Sequence, residues 1–206
     1  RFMLTEEAHH MFVGDSGINR VIKRTCEAMN VAGITDPFDS NAVRSLGVVD
    51  LPTLQKKANL HYSLSLDLFG SEISTNAANA YTNGLKGRYR EDRIDDDHRL
   101  LNDTYPVLKL IDGEVRTTLE PALTALNMRL RDDYTRETAS GVNRWNKQIA
   151  KAGISYELKL PEVTFNRKIG VFSSIETTPE GEILSQENFE ARKDEWLPSA
   201  DDGVFV

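Results

Sequence analysis

Between Lys57 and Lys86 the chain carries only two charged residues, Asp67 and Glu72. The rest of that stretch is Leu, Ala, Ser, Asn, Thr and aromatics, the composition of a segment buried on all sides. Its start is well marked. Asp50 supplies a capping side chain before Leu51, and Pro52 follows in the first turn, where a missing N–H costs nothing. The pattern predicts a helix from that cap to about Tyr81, ending near Asn83-Gly84, in the middle of a helical bundle. Carboxylates in such a helix need a cation, a hydrogen-bond network or a proton, because an unpaired buried charge costs several kcal/mol.

The flanking sequence predicts more helix. Met3, Glu7, His10 or Met11, and Gly14 follow helical spacing, and Gly14-Asp15-Ser16-Gly17 should interrupt or kink it. Ile18, Val21, Ile22, Cys26 and Met29 then form one amphipathic face. Residues 31–49 read as loop-rich, with a turn at Asp36-Pro37. Another helix is expected from about Tyr89 to Asp103. Beyond it the pattern is mixed. Asp112-Gly113 between two β-rich runs signals a hairpin. Helices are expected at about 120–138, 140–152 and 186–195, strands at Tyr156 to Leu160 and Val163 to Phe172, and a turn at Pro179-Glu180-Gly181. The reading is a mainly α protein, with a helical region over 1–106 and a small α+β extension over 107–206.

Composition removes several function classes. With 25 basic and 32 acidic residues in 206, the net charge is −7. An acidic chain without basic runs is a poor nucleic-acid binder. No apolar run approaches the roughly 20 residues of a membrane span, so no membrane is expected. A single cysteine, Cys26, excludes an internal disulfide and cysteine-built metal centres. A cytoplasmic location is the default. Lys56-Lys57 and Lys86-Gly87-Arg88-Tyr89-Arg90 read as solvated helix ends. The chain opens on Arg1 with its densest chemistry in the first ten residues, and is expected to be a piece of a longer protein.

That chemistry lies in two short motifs. In Glu6-Glu7-Ala8-His9-His10, Glu7 and His10 project from one helical face, on the stripe of Met3 and Gly14; Glu6 and His9 share the spacing but point elsewhere. In Ile94-Asp95-Asp96-Asp97-His98, Asp95 shares the His98 stripe, whereas Asp96 and Asp97 fall outward. Two carboxylate-x-x-His pairs on different helices, with further bundle carboxylates, form the ligand logic of di-iron and di-manganese proteins. Carboxylates bridge and neutralise two cations while imidazoles complete each coordination sphere. Glu72, set among Ser71, Ser74 and Thr75, is the favoured third element, with Asp67 in reserve. No His-Glu-x-x-His motif supports a zinc protease.

The strings Glu6 to Gly14, Leu66 to Asn76, Ile94 to His98, Glu120 to Leu130 and Trp196 to Asp202 resemble the oxygenase component of benzoyl-CoA 2,3-epoxidases. The resemblance covers the whole chain and only the C-terminal part of the family protein. It implies a ferritin-like helical bundle, incomplete at its N-terminus, around a carboxylate-bridged centre of two iron ions. Glu7 and His10 match the first carboxylate–His pair, Glu72 the lone carboxylate, and Asp95 and His98 the second pair, with Asp in place of the commoner Glu. A further carboxylate would come from an upstream helix. The implied reaction is epoxidation of the aromatic ring of benzoyl-CoA with O2. A separate reductase carrying FAD and iron–sulfur clusters would supply electrons from NADPH. The alternatives are an oxygenase of the phenylacetyl-CoA epoxidase type and a non-oxygenase ferritin-like metal protein.

Overall fold

The first helix, α1, runs unbroken over Phe2–Ala32 in a computed structural model that describes residues 2–73 and 103–203. The expected interruption at Gly14 to Gly17 does not occur. A glycine inside a helix costs about 1 kcal/mol against alanine, which a long helix with tertiary anchors absorbs. The anchors are present here. The Asp15 carboxylate accepts hydrogen bonds from Trp145 Nε1 at 2.9 Å and Arg144 Nη2 at 3.2 Å, and Ser16 Oγ donates to the Val13 carbonyl at 3.2 Å. The inward stripe of α1 is Ile22, Thr25, Cys26 and Met29, all buried. Ile18 and Val21, expected on it, are 38% and 37% exposed.

Asp39 caps a one-turn helix, α2 (Ser40–Arg44), by accepting the Ala42 N–H. Helix α3 (Leu51–Asp67) begins as its sequence predicts, with Asp50 Oδ1 accepting the Thr53 N–H at 3.0 Å. It is shorter than expected. The chain leaves the helix after Asp67 and turns at Gly70, whose φ of 83° is left-handed backbone that favours glycine. Nor is α3 buried on all sides. Asn59, Tyr62, Ser63, Leu66 and Asp67 line its buried face, whereas Leu64 is 46% exposed. Small and neutral polar residues tolerate solvent, so scarcity of charge did not mean burial. The expected continuation to Tyr81 and the helix from Tyr89 lie largely outside the described residues.

The described strands β1 (Thr104–Ile111) and β2 (Glu114–Pro121) pair antiparallel, with Ile111 opposite Glu114 and Thr104 opposite Pro121. Asp112 and Gly113 turn the hairpin with φ of 52° and 79°, the primed turn that matches strand twist. Helix α4 (Leu126–Lys151) is continuous where two helices were expected, passing through Ser140-Gly141. The expected strand Val163 to Phe172 is instead turns followed by a 3-10 turn, Val171–Ser174. A short hairpin, β3 (Glu176–Thr177) with β4 (Ile183–Leu184), encloses the expected Pro179 to Gly181 turn. Helix α5 (Gln186–Trp196) lies where its sequence predicts.

These elements form two units, each assembled from separate stretches of chain: 1–61 with 137–160 and 190–206, and 62–136 with 161–189. The core of the first is Ile22, Cys26, Met29, Val43, Leu51, Val142, Ile149, Ile154 and Leu158. Its expected strand at Tyr156 to Leu160 does not form; the backbone there bonds side chains instead. The Leu158 N–H donates to Asn146 Oδ1 and its carbonyl accepts from Asn146 Nδ2, both at 2.8 Å. Gln55 holds both backbone groups of Lys159 in the same way, at 2.8 and 2.7 Å. The alternation was legible; its partners were two amides on helices.

The same unit holds a buried polar network near its C-terminal end. Arg44 donates to Asp50 at 2.6 Å and to Asp202 at 2.5 Å, Lys56 reaches Asp202 at 3.3 Å, and the Ser199 N–H and hydroxyl donate to Asp202 at 3.0 and 3.1 Å. Lys56 is thus half-buried in an ion-pair network, not a free solvated end. In the second unit, Ala122 with Leu126, and Val107 with Ala125 and Met128, form small apolar clusters beneath the hairpin. The architecture is mainly helical, with five α-helices and two small sheets among the described residues. None of the described helices is long and apolar enough to cross a membrane.

Candidate functional site

Glu7 and His10 sit on α1 as their spacing predicts. Their Oε2 and Nδ1 atoms are 3.9 Å apart, with side chains 70% and 67% exposed. Each helical turn advances about 5.4 Å, so residues three apart project side by side. Glu6 and His9 are also exposed. The solvated pair can offer one carboxylate and one imidazole to an ion without strain. Met11, Phe12 and Val13 beside it are exposed as well.

Glu72 has a different setting. It is 1% exposed, in the second unit, just beyond the Gly70 turn. Its Oε1 accepts from Arg131 Nη1 at 3.1 Å, with Arg167 Nη1 at 3.9 Å, and its Oε2 accepts the Val171 N–H at 2.7 Å. Asp67, the reserve candidate, accepts from Arg167 Nε at 2.6 Å and the Lys168 N–H at 2.9 Å. Both guanidinium groups are fully buried. Burial and the neighbouring Arg167 charge pull the Arg131 guanidinium below its usual range, and Glu72 opposes them.

Local sequence explains this cluster. Asp67 ends α3, and the Gly70 turn redirects the chain so that Glu72 meets α4; Arg131 Nη2 also donates to the Gly70 carbonyl at 2.6 Å. Asn127 Nδ2 donates to the Ser71 carbonyl at 2.8 Å, one helical turn before Arg131. Gly170, with φ of 87°, brings backbone against the carboxylate: a Cβ there would lie 2.2 Å from Glu72 Oε2. Sequence reasoning missed Arg131 and Arg167. The usable signal was the requirement that buried Asp67 and Glu72 be neutralised, but nothing in the spacing says which of many arginines does it.

Asp95 and His98, with Asp96 and Asp97, lie outside the described residues. Among the described residues, no three His, Cys, Asp or Glu side chains come together as a metal-holding group. For a di-iron centre, the Glu7–His10 pair fits as one carboxylate–imidazole half. Glu72 does not fit where it stands, because its buried charge already compensates the buried Arg131 guanidinium, and a cation that drew it away would leave that guanidinium unbalanced.

Two further groups show how the second unit is held. Tyr105 donates to Asp132 at 2.7 Å, and burial together with that bond pushes its phenol up to about 12. Tyr62 bonds Thr135 at 2.9 Å, while its ring and the Phe69 ring both contact Tyr134. Both tyrosines dock on α4, the helix that carries Arg131.

No family model matches the chain. Over all 206 of its residues the chain is 50% identical to the benzoyl-CoA oxygenase component B of Aromatoleum evansii, and it spans 43% of the length of that protein.

Proposed function

We propose that the chain forms part of an oxygenase component that acts on benzoyl-CoA, epoxidising its aromatic ring with O2. The observation that carries this reading is the 50% identity sustained over the entire chain to an oxygenase component of that name. The alignment runs through every segment of the chain, with half of its residues identical, and takes in 43% of the length of that protein. "Component B" denotes one member of a multicomponent system, and a separate reductase with FAD and iron–sulfur clusters, fed by NADPH, is the partner this reading requires.

The proposed cofactor is a pair of iron ions in a ferritin-like bundle, which when bound would activate O2. Glu7 and His10 would supply a carboxylate and an imidazole from one face of α1, with Asp95 and His98 as the second such pair. The family resemblance implies Glu72 as the lone carboxylate; its role is taken up below. The protein's own work is to hold these donors and to keep the ring of the substrate in a dry pocket.

A segment exchange tests the proposal. The chain replaces the matched segment of the Aromatoleum protein, and the chimera is assayed with reductase, NADPH and O2. It should consume benzoyl-CoA and leave free benzoate untouched. Preference for phenylacetyl-CoA would move the chain to the neighbouring substrate class. Iron uptake without turnover of either thioester would favour a non-oxygenase metal protein.

A further inference from the structure

We infer that Glu72 is the buried counter-ion of Arg131 and Arg167, stapling the turn after α3 to α4 and to the 163–171 loop, and that it is not an iron ligand. The clause about iron rests on the di-iron reading above; the stapling role does not.

Charge balance comes first. Asp67, Glu72, Arg131 and Arg167 are all buried, and the two carboxylates offset the two guanidinium groups. Arg167 keeps Asp67 whatever Glu72 does. Among the described residues, the carboxylate paired with Arg131 is that of Glu72. Without Glu72 the partners of Arg131 among the described residues are the Gly70 carbonyl and the Met128 sulfur, and none of the described residues bonds its Nε. Moving Glu72 to a metal would leave a buried cation uncompensated and bring a dication towards two more positive charges. Removing one member of a buried pair is among the most destabilising single changes known.

Space gives the second argument. The Val171 N–H takes Oε2, and the backbone of Gly170 lies so close that a methyl there would overlap the oxygen. Among the described residues, one oxygen of this carboxylate faces a guanidinium and the other is packed against peptide backbone. The positive φ of Gly170 makes this close approach available at little cost.

The roles separate in a double-mutant cycle on the 206-residue chain with two readouts: the thermal midpoint, and iron per chain after anaerobic ferrous loading. Glu72→Gln keeps the shape but removes the charge, and should lower the midpoint by roughly 6–20 °C. Arg131→Gln should do the same, and the double variant should lose far less than the sum. Iron per chain in folded Glu72→Gln should equal wild type, whereas His10→Ala should fall. Arg131→Lys keeps the charge and should lose less of the midpoint than Arg131→Gln, which decides the stapling role if Glu72→Gln does not fold. Additive losses in the cycle, or equal losses for the two Arg131 variants, would overturn the staple. An unchanged midpoint in Glu72→Gln with iron lost as in His10→Ala would make Glu72 a ligand. Wild type loading no more iron than His10→Ala would count against the di-iron reading alone, leaving the staple to be judged by the cycle.

Discussion

The Asp202 network offers a stability prediction that can be worked from geometry. Asp202→Asn removes the negative charge facing Arg44 at 2.5 Å and Lys56 at 3.3 Å. Arg44 keeps Asp50 at 2.6 Å, so no buried cation is stranded and the full cost of breaking a buried pair does not apply. The Lys56 side chain is 23% exposed and regains water. What remains is the loss of charge-assisted bonds from Arg44 and from the Ser199 N–H and hydroxyl, together about 2–3 kcal/mol. For a chain of this size that lowers the thermal midpoint by about 4–12 °C. The pH dependence follows. Burial opposes ionisation of Asp202, but the Ser199 N–H, Arg44 and Lys56 outweigh it and hold the carboxyl well below the usual range. A depressed carboxyl contributes stability above its unfolded value, near 3.9, that is lost as pH falls through the folded one. Wild type should therefore lose stability below about pH 5, and Asp202→Asn should lose less over that window. Circular dichroism melts from pH 3 to 7 read both effects. A midpoint within about 1 °C of wild type at pH 7, or an unchanged acid limb, would refute the reasoning.

Other sites give independent checks. Asn146→Ala strips both backbone partners from Leu158 beneath the first core and should cost about 2–4 kcal/mol by urea unfolding, while Asn146→Asp, which keeps the acceptor, should cost less. Tyr105 should ionise near 12 in an ultraviolet titration, and Tyr105→Phe should reduce the amplitude of the step there, to which Tyr156 also contributes. Because its folded value is raised, the stability it contributes is complete below about pH 10 and lost as pH rises through 12. His10→Ala and Glu7→Ala should each reduce iron per chain in atomic absorption with no more than about 0.5 kcal/mol change in stability, since both side chains are solvated.

Local signals carried the parts of the fold they physically determine. Asp50-Leu51-Pro52 marked the start of α3, Asp112-Gly113 the β1–β2 turn, and Pro179-Glu180-Gly181 the small hairpin, because capping and left-handed backbone are decided within a few residues. Continuity was misread wherever tertiary contacts override propensity. Gly14 to Gly17 stays helical with Asp15 anchored by Trp145 and Arg144, and Ser140-Gly141 is carried within α4. Tyr156 to Leu160 showed its alternation, but its pairing depended on Asn146 and Gln55, which a strand pattern cannot reveal. For the candidate site, the i, i+3 relation of Glu7 and His10 was readable from spacing alone. The environment of Glu72 was not, because its partners Arg131 and Val171 are 59 and 99 residues away in sequence.

The most direct test of the central claim follows oxygen from gas to product. The chimera carrying this chain is supplied with reductase, NADPH, benzoyl-CoA and isotopically heavy O2, and the thioester product is weighed by mass spectrometry. One heavy oxygen atom is expected in each product molecule, and none when light O2 is used in water labelled with heavy oxygen. Unlabelled product, or labelled product that forms equally well when the chain carries His10→Ala and Glu7→Ala, would contradict the claim.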